Sequence, residues 1–221
     1  MKIFLTTLST LFAIGVSAQY SSTIFNVTGP NTGLLYNKIN SGVSSKVYSY
    51  SEIQGTPYIY NDYKKAKIGD FPDVVLARYN SYSDEVEIKF NDNVRSLLKE
   101  KAYSPVKFID SDEQLIYVSD NEQKGYYYVL SGGKTMLLRK NSTIFIDEQP
   151  AQTSYSNTQP AKFQNLKPSF FLYKDSKLNP IKKESDLIEF YPDKNLKTII
   201  KENKIKFDKE KDLIRLVQLL N

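Results

Sequence analysis

Apolar and polar positions change rhythm several times along this chain, and each change predicts a different kind of element. Residues 1–18 open on Lys2, run through Ile3 to Val16 with only Thr, Ser and Gly as interruptions, and close on Val16-Ser17-Ala18. A charged start, an apolar stretch and a small-x-small end are the parts of a cleavable secretory signal peptide, so the mature chain is expected to begin at Gln19. The stretch is shorter than the ~20 residues of a membrane-spanning helix, and no other stretch approaches that length without charge, so no transmembrane span is expected. Residues 19–52 are rich in Ser, Asn, Thr and Tyr, with weak strand-like pieces at Thr23 to Val27 and Lys46 to Tyr50. They read as a loosely ordered lead-in.

Residues 53–147 then alternate with period two and are enriched in β-branched and aromatic side chains, the pattern of half-buried strands. Strands are expected at Tyr58 to Tyr60, Lys64 to Ile68, Val74 to Tyr79, Glu85 to Phe90, Gln114 to Ser119, Tyr126 to Leu130, Thr135 to Arg139 and Thr143 to Ile146. The turns between them (Asn80 to Asp84, Asp120 to Gln123, Ser131-Gly132-Gly133) are too short for the crossover that a parallel pair requires. The expectation is an antiparallel meander forming a sandwich or open barrel.

Residues 148–168 carry Pro150, Pro160 and Pro168 among Gln, Ser, Thr and Asn, which suits an extended linker. Beyond a strand at Phe170 to Tyr173, residues 169–221 turn to helical spacing and predict a small helical subdomain. Ile181 to Ile188 matches Phe207 to Ile214 at an offset of 26 residues, with Ser185 or Asp208 as the expected N-cap. A middle helix is expected from Pro192-Asp193, with Leu196, Ile199 and Ile200 on one face. A last helix sets Leu213, Leu216, Val217 and Leu220 at core spacing. The predicted fold class is therefore α+β.

Composition changes this picture mainly by exclusion. The 221 residues contain no His and no Cys. Disulfides, thiol or Ser-His nucleophiles and His- or thiolate-bound metals are ruled out by residue type, so no metal or cofactor is expected. Acid–base chemistry would fall to Asp, Glu, Lys or Tyr. The net charge of +5 is mild and interspersed, which argues against a nucleic-acid partner.

Five patterns remain as candidate chemistry. Asp84, Glu85 and Glu87 enter a strand together, with Glu85 and Glu87 on one face; a solvated face is expected, and a carboxylate pair for glycan hydrolysis is the alternative. Ser96-Leu97-Leu98-Lys99, Ser119-Asp120-Asn121 and Lys134-Thr135 imitate the S-x-x-K, S-D-N and K-T-G set of penicillin-recognising serine enzymes, but Met136 replaces the required Gly. Gly132-Gly133-Lys134-Thr135 imitates a phosphate loop, but Tyr128 stands where its first Gly belongs, so a hairpin turn is expected. Seventeen Tyr, including Tyr58, Tyr60, Tyr63, Tyr79, Tyr82 and Tyr126-Tyr127-Tyr128, favour strands and could also line a binding surface. Lys194, Lys197, Lys201 and Lys204 form a stripe at helical spacing that suits solvent, anionic headgroups or an acidic partner.

Three stretches carry a resemblance: Gly55-Thr56-Pro57-Tyr58 with the Lys-rich strand after it, Leu76 to Glu87, and the tail from Tyr191-Pro192-Asp193-Lys194 to Lys211-Asp212-Leu213-Ile214. The chain resembles a family of exported proteins of Bacteroidota, flavobacteria among them, for which no activity is established. The resemblance implies a source and a compartment and assigns no catalytic residue. The expected protein is non-enzymatic, exported to the periplasm or beyond it to the exterior, and binds another protein or an envelope component. Neutralising a toxin in the periplasm is one form such binding could take. A carboxylate-based enzyme or a binding module acting on glycans is the alternative.

Overall fold

The computed structural model describes residues 25–26 and 52–221, apart from 92, 120–122, 152–154 and 156. The expected signal peptide, and the lead-in other than Phe25–Asn26 and Glu52, lie outside the described residues. Thirteen strands are present among them: β1 (Phe25–Asn26), β2 (Lys64–Ile68), β3 (Val74–Asn80), β4 (Glu85–Phe90), β5 (Asn93–Leu97), β6 (Val106–Phe108), β7 (Gln114–Val118), β8 (Gly125–Ser131), β9 (Met136–Lys140), β10 (Thr143–Ile146), β11 (Lys162–Asn165), β12 (Ser169–Lys174) and β13 (Lys177–Pro180). Eleven form one sheet in the order β1-β5-β4-β3-β2-β6-β7-β8-β9-β12-β13, and every pairing in it is antiparallel. With helices α1 (Leu196–Glu202) and α2 (Glu210–Leu220) at the C-terminal end, this is an α+β fold built on a meander.

Alternation explains the first core. Ala66 and Ile68, Ala77 and Tyr79, Val86 and Ile88, Val106 and Phe108, Leu115 and Tyr117, Tyr126 and Tyr128 all point to one face and are buried together. Tyr79 on β3 packs edge-on against Tyr126 and Tyr128 on β8, with ring centroids 6.4 and 5.8 Å apart. Those strands lie four places apart in the sheet, so the sheet curls round its inner face. Its end strands do not pair with each other, and the curl stays open.

The second core begins where the first ends. Leu130 on β8, Leu137 on β9 and Leu172 on β12 continue the inner face and are covered by Leu213, Leu216, Val217 and Leu220 of α2, with Leu187, Phe190, Tyr191, Leu196 and Ile205 around them. The helical part is thus packed on the sheet.

Several local expectations change. Tyr58 to Tyr60 is no strand. Pro57 offers no N–H, Thr56 Oγ1 accepts from Tyr58 N at 3.3 Å, and Tyr58 makes only an isolated bridge to Asn80. The segment read as a linker holds β11, paired with β10, and Gln54 bridges to Lys162. The cause is apolar: Ala161 and Phe163 are buried with Ile53, and Phe163 packs on Tyr82 and Phe145. Residues 169–180 form the hairpin β12–β13 before any helix. Its turn, Asp175-Ser176, has φ of 50° and 64°, the two positive values of a type I′ turn, reached without the Gly that signals one in sequence.

The repeat is realised unequally. Leu187 and Leu213, equivalent residues, are both fully buried, and the equivalent Asp186 and Asp212 both accept from upstream backbone N–H groups. The first copy nevertheless makes only a 3-10 turn, Glu184–Leu187, whereas the second opens α2. Pro192 comes after the first copy and disfavours helical backbone at Tyr191, while Arg215 to Leu220 continue the second. Neither expected cap holds: Ser185 lies inside the 3-10 turn, and Lys209 stands where Asp208 was expected. The middle helix starts at Leu196, where the Asn195 side chain accepts from Thr198 N at 3.3 Å.

Candidate functional site

The three carboxylates adjacent in sequence are taken apart by the fold. Glu87 points to the outer face of β4 and keeps 8% of its surface exposed. Its Oε2 accepts from Arg78 Nε at 2.9 Å and Tyr63 OH at 3.3 Å, and its Oε1 from Tyr58 OH and Asn80 Nδ2, each at 3.1 Å. Arg78 Nη2 lies 2.9 Å from the same Oε2 and donates to Tyr58 OH at 2.7 Å. The guanidinium also sits over the rings of Tyr58 and Tyr63, 3.6 and 4.3 Å from their centroids. Burial, with Glu87 nearby, pushes the Tyr63 phenol up to about 12. The arrangement straps the Pro57 to Tyr63 loop over the sheet and leaves Glu87 without a free lone pair for proton transfer.

Asp84 takes the opposite direction. It adopts φ 55° at the end of the β3–β4 turn, and its carboxylate accepts from Tyr79 OH at 2.7 Å, from Tyr126 N at 3.2 Å and from Lys140 Nζ at 2.5 Å. Lys140 also donates to Tyr126 O at 3.0 Å. Gly125 makes room for this pair, because a Cβ there would run into the Asp84 carboxylate and stand 2.7 Å from Lys140 Nζ. Burial draws the Lys140 amine down and Asp84 partly restores it. Burial also raises the phenols of Tyr79 and Tyr126, with Asp84 adding to both. The cluster joins the β3–β4 turn and β3 to β8 and β9 across the curl of the sheet.

Glu85 accepts from Ser96 Oγ at 2.8 Å, so the serine of the S-x-x-K imitation is a β5 residue held by a carboxylate. Asp120 and Asn121 of the second element lie outside the described residues. The Gly132-Gly133-Lys134-Thr135 stretch is the β8–β9 turn, as expected. Asn221 accepts from Thr135 N at 3.1 Å and donates to Thr135 O at 2.9 Å and Gly132 O at 3.3 Å. Gly133, at φ 125°, lies so close that a Cβ would come within 2.6 Å of Asn221 Nδ2.

Most of the tyrosines among the described residues are core residues. Tyr58, Tyr79, Tyr117 and Tyr126-Tyr127-Tyr128 are buried, whereas Tyr60 is 42% exposed. Tyr60 belongs to a charged centre that no sequence spacing announces. Its OH donates to Glu113 at 3.0 Å, and Lys64 pairs with Glu113 at 3.3 Å while lying 3.3 Å from the Tyr60 ring centroid. Arg139 pairs with Glu210 of α2 at 2.9 Å and approaches Glu113 at 3.9 Å over the Tyr128 ring. The charges balance, which suits a joint between the helical part and the sheet.

Cations without partners lie elsewhere. Lys65, Lys67, Lys89 and Lys107 point outward from β2, β4 and β6, are exposed, and make no ion pair among the described residues. Lys194, Lys197, Lys201 and Lys204 are exposed as well, but only Lys197 and Lys201 lie on α1, and Lys204 has φ 51° beyond its end. Among the described residues no group of three or more acidic side chains could hold a metal ion, and no helix is long and apolar enough to cross a membrane. In comparisons with known proteins the chain matches no family model, no curated protein and no solved structure.

Proposed function

We propose that the protein is exported and works without catalysis, by binding another protein or a component of the cell envelope. The observation that carries this reading is the fate of the acid–base groups. Asp84, Glu85 and Glu87 each accept from internal donors, while four outward lysines make no ion pair among the described residues. Acid–base catalysis needs a carboxyl free to exchange a proton with substrate. Binding needs only an accessible surface of definite chemistry. The signal-like start at residues 1–18 and the resemblance to exported proteins of Bacteroidota support the compartment, the periplasm first.

The test is affinity purification of the tagged protein from a native envelope, with crosslinking and mass spectrometry. A reproducible envelope partner is the expected result. Turnover of a glycan or other substrate by the purified protein, with no envelope partner, would overturn the reading.

A further inference from the structure

We propose that the outward face of β2, β3, β4 and β6 docks on an anionic phospholipid surface. The inference deepens the binding function above and rests on it only for the compartment. Strand register builds the face as two rows. Lys107, Lys67 and Val74 stand side by side across β6, β2 and β3. Lys65, Leu76 and Lys89 stand side by side across β2, β3 and β4, with Ile109 beside Lys65 through its backbone N–H. Val74, Leu76 and Ile109 are 49, 41 and 45% exposed. The patch therefore presents aliphatic tips framed by four ammonium groups.

Three features make lipid the fitting occupant. Outward positions of these rows hold no carboxylate; Glu87 of β4 is covered by Tyr58 and Tyr63 and bound by Arg78, and Asp70 and Asp73 stay in the β2–β3 turn as Asp110 and Asp112 do in the β6–β7 turn. Neighbouring strands are ~4.8 Å apart, so each ammonium has another within about 10 Å, one Debye length, and the set of four, roughly 16 Å across, acts on a charged surface together. Lysine is depleted from protein–protein interfaces, whereas a long apolar stem ending in a point charge suits the headgroup boundary. The helix stripe offers less, because Leu196, Ile199 and Ile200 of α1 pack into the helical core and leave its lysines without apolar company.

The test is sedimentation of the protein recovered from expressing cells with vesicles of phosphatidylcholine alone or mixed with phosphatidylglycerol. We expect binding only to the mixed vesicles, weakening as salt rises. Lys65→Gln/Lys67→Gln/Lys89→Gln/Lys107→Gln should lower the partition coefficient roughly a hundredfold or more, at about a factor of five per lysine. Replacing Lys194, Lys197, Lys201 and Lys204 by Gln should change it little. Equal binding to both vesicles, no binding, or loss through the helix lysines alone would overturn the proposal. N-terminal sequencing of the same samples reads export separately: a start at Gln19 upholds the compartment and an intact Met1 counts against it. Both proteins carry the same N-terminus, so the lysine comparison stands in either case.

Discussion

At Glu87 the chemistry of a single side chain is decided by what covers it. A carboxylate on the outer face of a strand is ordinarily hydrogen-bonded to water. Here five donor contacts from Arg78, Tyr58, Tyr63 and Asn80 converge on it, and removing its charge strands the guanidinium over two rings. Glu87→Gln should cost about 2 kcal/mol, below the ~3–5 kcal/mol of a fully buried pair because the Arg78 side chain keeps 20% of its exposure. Urea unfolding measures this, and adding Arg78→Met should recover part of the loss. A change under ~0.5 kcal/mol would place the strap's energy elsewhere. Gly125→Ala tests the other carboxylate: its methyl enters the space of Asp84 and Lys140, and overpacking of this kind costs about 1–3 kcal/mol. The phenols supply a pH dependence of definite sign. Tyr63, Tyr79, Tyr126 and Tyr128 are all raised from 10.0 by burial, so the folded chain holds protons that the unfolded chain releases. Their contribution is fully present below pH 10 and falls as pH climbs, through about 12 for Tyr63. Unfolding midpoints and phenolate absorbance measured above pH 10 should fall and rise together; flat midpoints would refute it.

The two copies of the repeat show that an element depends on the residues just beyond it. Ile181 to Ile188 and Phe207 to Ile214 have the same buried leucine and the same aspartate turned back on the backbone, yet one is a single 3-10 turn and the other a helix of 11 residues. Local propensity is shared; the stop at Pro192 is not. That difference is readable from the sequence. The clamp of Asn221 on the β8–β9 turn is not, because it joins residues 86 positions apart. Asn221→Ala removes hydrogen bonds to Thr135 and Gly132 and should lower stability by about 1–2 kcal/mol in urea unfolding, with the strands intact by circular dichroism. The β12–β13 hairpin escaped the sequence for a related reason. Its type I′ turn is made by Asp175-Ser176, residues that reach positive φ less readily than the Asn-Gly or Asp-Gly that announce such turns.

For the whole molecule β8 matters most, since its Tyr126 and Tyr128 fill one core and its Leu130 packs against the other beside Leu137 of β9. Cores joined through one shared strand are expected to unfold together. Leu216→Ala, at a fully buried site of α2, should cost about 2–5 kcal/mol and shift the tyrosine near-ultraviolet signal and the backbone signal by the same amount. Separate transitions would show the helical part to be independent. Period-two alternation and short polar turns determined most strands, their inner faces and the antiparallel meander, because these are properties of adjacent residues. Helical spacing determined the faces of α1 and α2, and the missing His and Cys closed off whole classes of chemistry through residue type alone. Tertiary structure decided the curl of the sheet, the pairing of β11 with β10, the charged centre round Glu113 and Arg139, and the separate partners of Asp84, Glu85 and Glu87. Alternation says which way a side chain points and nothing about what it meets, since the partner is set by register and curvature across strands far apart in sequence.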